Sequence, residues 1–296
     1  MFRWAIDVER GDWIRDRLGP FGGQVSSVMP RGFEAYARVL HRATGRGVER
    51  VRWAEVAASA GTVLHATAQW SRVARRPGWS TQEPTVAHDE PWPADWYPEG
   101  QVGRRGEPRE WPGGNPMEGE LDQVQLPALV DVLRPHTHPD AVTAAFWVGS
   151  SWEGSIVLTA GVRAPRTPLR GARIRRPRGQ AIERFGPALY DAVLAGPQLE
   201  LPNREYYLFA GSLDDVADLA DGSATADVTP FAPLSRTPSL LWPDDRTWCV
   251  ATEVDFDSTL VGGPRALVDA VLADETLEAF EVIEADSLAY DGDEVN

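Results

Sequence analysis

Three carboxylates alternate with apolar residues in one short segment of the sequence. Glu253, Asp255 and Asp257 occupy every second position of residues 253–257, with Val254 and Phe256 between them. Alternate side chains of a β-strand point to the same face and stand roughly 6.5 to 7 Å apart along it. Such a set can hold a hard cation, or divide the roles of general acid and base. Two other interpretations stay open: a solvated strand face, and a face that pairs with the protein's own arginines.

A second candidate is the segment His136-Thr137-His138-Pro139-Asp140, which holds two imidazoles and a carboxylate. This spacing can supply metal ligands when an extended segment turns both rings to the same side. A third ligand would have to come from His41, His65 or the acidic strand, and nothing in the sequence places them together. A histidine in the last turn of a helix, where its charge complements the helix dipole, explains the same residues.

Several chemistries are excluded by residues that the sequence lacks. All 29 cationic side chains are arginines, so no lysine is present for a phosphate-binding loop, a protein kinase or a Schiff base. The single cysteine, Cys249, stands in an apolar segment, which is typical of a small buried side chain rather than a nucleophile. No serine-hydrolase motif is present, and we predict that the protein has no cofactor.

The charge is strongly acidic and unevenly distributed. A net charge of −15 argues against nucleic-acid binding, which depends on cationic contacts with phosphates. From Asp244 onward, 15 acidic residues stand against two arginines, a net charge of −13. Residues 163–184 are instead rich in arginine and include Arg173, Arg175 and Arg176. This basic stretch is suited to an acidic partner, or to pairing with the protein's own acids.

Residues 72–117 combine frequent prolines with tryptophans. Eight prolines interrupt hydrogen-bonded structure there, and we therefore predict a long loop. A solvated linker is poor in aromatic residues, whereas this segment carries Trp79, Trp92, Trp96 and Trp111. We expect a loop that packs on the protein surface, either as an ordered cover or as an arm that binds a partner.

The elements that would position these residues are helices and strands in mixed order. Helical spacing of apolar residues predicts helices over 30–42, 53–60, 121–133 and 182–194, and another after Pro264. Apolar or alternating segments predict strands over 145–149, 155–159, 205–210 and 248–256, the first two in a hairpin. Gly61 is expected to end the second helix, and Ser212 to cap a further helix.

This order predicts an α+β fold with a mixed or antiparallel sheet, flanking helices and the long Pro/Trp-rich loop. We divide the chain into an N-terminal helical part (1–71), the surface loop (72–117) and an α+β core with an acidic tail (118–296). The tail after Asp286 is expected to fray. No segment approaches the roughly 20 apolar residues that cross a bilayer, and no signal peptide is recognised, so we predict a cytoplasmic protein without membrane association.

Four segments are distinctive when they are taken in order. They are MPRGFEAYARVLH at 29–41, WAEVA at 53–57, PNREYYLF at 202–209 and WPDDRTWCVATE at 242–253, the last followed by Val261-Gly262-Gly263. Together they resemble a family of uncharacterised cytoplasmic proteins from high-GC Gram-positive bacteria. The resemblance implies a cytoplasmic bacterial protein, and it carries no activity, cofactor or site residue over to this chain.

Two functions of different classes follow from these features. We favour a non-enzymatic protein-interaction or regulatory module, because no catalytic motif is recognised; it would use the loop tryptophans and the basic stretch. The alternative is a metal-dependent enzyme of the hydrolase class that uses residues 253–257, assisted by His136 or His138. A pocket lined by these carboxylates and a histidine would favour the enzyme, whereas a flat solvent-facing strand would remove its main support.

Overall fold

The centre of the fold is one antiparallel sheet of nine strands, seen in a computed structural model that describes residues 2–45, 49–75, 110–149, 192–193, 195–202, 204–220, 237–289 and 291–296. Its strands are β1 (Arg3–Trp4), β2 (Ala35–Leu40), β5 (Val142–Trp147), β6 (Leu199–Leu201), β7 (Arg204–Gly211), β8 (Leu240–Pro243), β9 (Cys249–Ala251), β10 (Ser258–Gly263) and β11 (Ala279–Val282). Between β2 and β5 in the chain, β3 (Ala43–Thr44) and β4 (Arg50–Val51) form a separate pair. The order across the sheet is β1-β7-β5-β8-β9-β10-β2-β11, and β6 also pairs with β7.

Short helices accompany this sheet, which confirms the predicted α+β class with an antiparallel sheet. They are α1 (Asp12–Arg15), α2 (Val25–Val28), α3 (Trp53–Ala60), α4 (Trp70–Val73), α5 (Gln125–Leu133), α6 (Leu213–Ala217) and α7 (Arg265–Ala273), with 3-10 turns at Val8–Gly11 and Arg134–His136. No helix in the described ranges combines the length and the apolar composition that crossing a membrane requires.

Both faces of the sheet are covered, as the alternation along β7 shows. Tyr207 and Phe209 belong to the apolar cluster that includes residues of α5, α6 and α7. Tyr206 and Leu208 belong to the opposite cluster, which includes residues of α1 and α2. Because neither face meets solvent, every residue of β2 and of β10 is buried, and these strands lack the polar alternation of a half-exposed strand.

The helix boundaries follow the capping chemistry that the sequence predicts. The helix predicted over 53–60 is α3, and Gly61 ends it in the left-handed conformation at φ +66°. Ser212 caps α6, since its hydroxyl accepts the amide of Asp215 while that carboxylate accepts the amide of Ser212. The helix predicted over 121–133 is shorter and begins at Gln125, and the one expected after Pro264 is α7.

The helix predicted over 30–42 is wrong, because the middle of that segment, Ala35–Leu40, is the strand β2. Its apolar residues Phe33, Tyr36, Ala37 and Leu40 fit a helical stripe, but they also fit a strand that is buried on both faces. Strand β2 lies between β10 and β11. The N-terminal part (1–71) is therefore not simply helical, and the sheet crosses the predicted division between it and the core (118–296).

Of the other predicted elements, some lie within the described residues and some lie outside them. The strands predicted over 145–149 and 205–210 are β5 and β7, with adjusted ends. The strand over 155–159, its hairpin and all but the end of the helix over 182–194 lie outside the described residues. The prediction of a frayed tail is wrong, since the carboxylate of Asp293 accepts the backbone amide of Gln69 at 3.1 Å.

Candidate functional site

The candidate carboxylates lie in the turn between β9 and β10 rather than along a strand. Strand β9 ends at Ala251, and the amide of Phe256 donates to the carbonyl of Glu253 at 3.0 Å, which closes the turn. The strand predicted over 248–256 is therefore too long. Its acidic residues do not share one pleated face: Glu253 and Asp255 meet one arginine, and Asp257 meets another.

A glycine allows the segment before α5 to pass close to this turn. The amide of Gly119 donates to the carbonyl of Phe256 at 2.8 Å. Gly119 has φ +66°, and a Cβ built on it would lie 2.7 Å from the Cα of Val254. Only glycine accepts both the left-handed backbone and this approach. The contact brings the neighbouring Glu118 to the acidic turn.

Arg204, at the start of β7, binds two of the three carboxylates. Its Nη2 donates to Glu253 Oε1 at 2.5 Å and to Asp255 Oδ2 at 2.9 Å. Burial opposes the charge of the Arg204 guanidinium, but the bond and the charge of Glu253 outweigh it and raise the Arg204 pKa. The guanidinium carbon also lies 4.5 Å from the ring centroid of Trp147 and 5.8 Å from that of Phe21.

Asp257, the third carboxylate, forms a buried ion pair with Arg38 of β2. Asp257 Oδ1 and Arg38 Nη2 are 3.1 Å apart, and the two side chains are 8% and 1% exposed. Arg38 also donates to Ser258 Oγ at 2.9 Å and to the carbonyls of Ala66 and Ala68 at 3.0 and 2.8 Å. Burial raises the pKa of Asp257 and lowers that of Arg38, while the attraction between them opposes both shifts. Each group needs the other in order to stay charged inside the fold.

One oxygen of the buried pair is left over. Asp257 Oδ2 has no hydrogen-bond partner among the described residues. The nearby residue Glu118 is exposed to solvent. Protein atoms around its carboxyl nevertheless partly desolvate it, and together with the charges of Asp257 and Asp255 this raises the pKa of Glu118 to about 7. A carboxyl that titrates near neutral pH beside other carboxylates is one that can exchange protons under ordinary conditions.

A buried chain of hydrogen bonds runs beneath the turn from His41. The His41 ring bonds the carbonyl of Met117 through Nδ1 at 2.6 Å and Thr259 Oγ1 through Nε2 at 2.8 Å. The Thr259 hydroxyl in turn lies 2.9 Å from Thr252 Oγ1. Because a carbonyl only accepts, Nδ1 carries the proton and Nε2 accepts from Thr259. Burial lowers the pKa of His41 to about 4, so the ring is neutral at pH 7.

The interpretation that arginines pair with the acidic segment fits this geometry, but through different arginines. Arg204 and Arg38 supply the charges. Arg173, Arg175 and Arg176, which we considered for this role, lie outside the described residues. Arg38 did leave a signal in the sequence, since it is the single charge in the apolar run of β2. Glu118 left none, because its position depends on the approach of Gly119 to the turn.

The histidine candidates give no metal site within the described parts of the chain. His136 ends the 3-10 turn after α5, and His138 is exposed in the next loop. No group of three or more His, Cys, Asp or Glu residues among the described ones is placed to hold a metal ion. Among the described residues, neither His136 nor His138 forms a hydrogen bond or an ion pair with the acidic turn.

The predicted surface loop is visible only where it joins the rest of the fold. Trp79, Trp92 and Trp96 lie outside the described residues, and Trp111 lies inside them. The amide of Trp111 donates to the carbonyl of Ala74 at 2.9 Å, and its ring packs against the cluster around α3 and α4. Arg75 donates to the carbonyls of Ala60 and Gly61 at 2.6 and 3.1 Å. The two ends of the segment 76–109 are therefore fixed next to each other.

Comparisons with models of protein families, with curated proteins and with solved structures find no match to this chain. The resemblance to a family of bacterial cytoplasmic proteins stays a prediction. The function has to be inferred from the chain's own residues.

Proposed function

We propose that the protein is a non-enzymatic protein-interaction module that presents the segment 76–109 to a partner. The observation that carries the proposal is the bond between Trp111 and Ala74, which closes the base of this segment. A 34-residue segment with three tryptophans, flanked by residues that are bonded to each other, is suited to the recognition of a partner.

The acidic turn supports the proposal indirectly, because its contacts weaken the alternative of an enzyme. Glu253, Asp255 and Asp257 are the residues that the enzyme hypothesis needs, and all three hold arginines of the fold. Carboxylates in such pairs stabilise the positions of neighbouring strands. Their use in the structure reduces the reason to assign them a catalytic role.

The net charge indicates the kind of partner. With −15 on the chain, a partner with a basic surface would associate faster and more strongly at low ionic strength. Arg173, Arg175 and Arg176 are a local exception to this charge, and we propose that they contact an acidic part of the same partner.

Substitution of the loop tryptophans tests the proposal without shortening the chain. The variant Trp79→Ala/Trp92→Ala/Trp96→Ala should retain the thermal stability of the wild type and lose most of the protein captured from the source lysate. A matched control is Phe21→Ala, which removes an aromatic residue that is 57% exposed but lies outside the loop. Capture that is equal in all three proteins would exclude the tryptophans as the contact.

A second candidate function is acid–base or metal chemistry at the turn, and the pKa of Glu118 near 7 favours it. Asp257 Oδ2, which has no partner among the described residues, would supply a second oxygen. Thermal melting with Mg²⁺, Mn²⁺, Ca²⁺ or Zn²⁺ tests the metal version, because a bound ion raises the melting temperature. A shift that Glu118→Gln abolishes would support this candidate, and no shift with any of the four ions would exclude the metal version.

A further inference from the structure

A buried carboxylate joins the last described segment to the loop between α3 and α4. The side chain of Asp293 is fully buried, and its Oδ1 lies 2.9 Å from His65 Nε2. Its Oδ2 accepts the backbone amide of Gln69 at 3.1 Å. We call residues 291–296 the strap and the loop residues 63–69 the slot. The slot therefore places two polar groups, the His65 ring and the Gln69 amide, against the two oxygens of one carboxylate.

The slot reads a second side chain three residues further along the strap. Asn296 Oδ1 accepts the amide of Val63 at 2.8 Å, and Asn296 Nδ2 donates to the carbonyl of Val63 at 2.9 Å. The side-chain amide of Asn296 thus bonds both backbone groups of Val63, as an opposite residue does in a hydrogen-bonded pair of an antiparallel sheet. The amides of Val295 and Asn296 also donate to Asp293 Oδ1 at 3.0 Å, which folds the strap into a turn. The slot therefore recognises an aspartate and an asparagine in the pattern Asp-x-x-Asn.

The backbone of the slot is also anchored by Arg38 of β2. Arg38 Nη1 donates to the carbonyls of Ala66 and Ala68, in the middle of the slot. Arg38 is itself fixed by Asp257 and Ser258. A site whose backbone is anchored in this way keeps its shape when its occupant leaves, and that lowers the entropic penalty of a new occupant.

The charge state of the strap shows what would release it. Burial opposes ionisation of Asp293, but the hydrogen bonds from Asn296, Gln69 and Val295 outweigh it and lower the pKa of Asp293 to about 2. A depressed carboxyl pKa stabilises the closed form above the pKa of the free group, and this contribution is lost as the pH falls towards 2. Protonation of Asp293 would therefore release the strap only in strong acid.

We propose that residues 63–69 are a peptide-binding slot for a carboxylate-bearing segment of the form Asp-x-x-Asn, and that the strap occupies it as an internal ligand. The partner segment would place its aspartate on His65 and Gln69, and its asparagine on Val63. The occupied slot is then the resting form of the protein. A partner segment would bind by replacing the strap in the slot, whose backbone Arg38 supports.

A labelled peptide with the sequence of residues 291–296 tests this proposal by fluorescence anisotropy on full-length protein. The variant Asp293→Ala/Asn296→Ala should open the slot and bind the peptide at least tenfold more tightly than the wild type does. Asp291→Ala is the matched control, because Asp291 is an exposed acid of the same strap, and it should behave as the wild type. A peptide with asparagine in place of its second aspartate should bind at least tenfold more weakly to the open variant.

Hydrogen exchange at Val63 and Gln69 shows whether the variant has opened the slot. Faster exchange there without peptide binding would overturn the proposal, as would equal binding of both peptides. Unchanged exchange in the double variant would show that Asp293 and Asn296 do not hold the strap, and would overturn it as well. If the double variant does not fold, Asn296→Ala alone should bind the peptide with intermediate affinity, and a folded Asn296→Ala protein that binds none contradicts the slot.

Discussion

Replacement of Arg38 by methionine removes the cation at the centre of the described contacts. Methionine keeps an unbranched apolar side chain of similar length in β2. The change leaves Asp257 Oδ1 without its partner at 3.1 Å, and it frees the carbonyls of Ala66 and Ala68. The Asp257 carboxylate would then be a buried charge without compensation.

The size of the effect follows from this burial. Removal of one partner from a buried ion pair destabilises a protein by about 3 to 5 kcal/mol. Arg265→Met is the matched control, because Arg265 pairs with Glu281 at 2.6 Å but the side chains are 42% and 51% exposed. Exposed ion pairs contribute far less to stability than buried ones, because solvent screens them. Urea unfolding followed by the fluorescence of the 12 tryptophans measures both variants.

The pH dependence separates a lost ion pair from lost packing. Burial already raises the pKa of Asp257, and loss of Arg38 would raise it further. A raised carboxyl pKa contributes stability at low pH that disappears as the pH rises through it. The difference between Arg38→Met and the wild type should therefore shrink from pH 7 to pH 5. A loss no larger than that of Arg265→Met, or one independent of pH, would refute the reasoning.

Three further predictions concern His41, two glycines and Cys249. Burial lowers the pKa of His41 from 6.5 to about 4, so the unfolded chain takes up a proton at a higher pH than the folded protein does. The free energy of unfolding should therefore fall by up to about 3 kcal/mol as the pH drops from 6.5 to 4. Urea unfolding of the variant His41→Asn should lack this pH dependence. Gly61→Ala, at φ +66° with open space around it, should lower the free energy of unfolding by about 1 kcal/mol. Gly119→Ala should lower it by about 3 kcal/mol, because the new methyl group would also meet Val254. Equal losses of stability in urea unfolding would contradict the close approach of Gly119 to Val254. The thiol of Cys249 is buried and its pKa is raised by that burial, so a thiol reagent should label it only in urea, and rapid labelling of the native protein would oppose its placement in β9.

The sequence predicted the elements whose signals are local. Helix α3 and its end at Gly61 depend on spacing and on one backbone conformation, and α6 depends on the pair Ser212 and Asp215. Strand β2 could not be predicted in the same way. Its residues are buried on both faces, and only the neighbouring strands β10 and β11, more than 200 residues away in the chain, select a strand over a helix.

The candidate site shows the same division between local and distant information. The alternation of Glu253, Asp255 and Asp257 predicted a cluster, and the structure does place them together in one turn. The identity of their partners could not be read from that pattern, because Arg38 comes from a strand in the N-terminal part and Arg204 from β7. The acidic tail was wrongly expected to fray, as terminal segments commonly do. The donors that hold Asp293 come from a distant loop, so no local pattern in the tail pointed to them.

Excision of residues 76–109 tests the central claim most directly. The hydrogen bond between Ala74 and Trp111 brings the ends together, so a Gly/Ser linker of about four residues can close the gap. The shortened protein should unfold at nearly the same urea concentration as the wild type, and capture from the source lysate should fall to the level of a beads-only control. An excised protein that folds and still captures the same partner in the same amount would contradict the proposal that this segment is the contact.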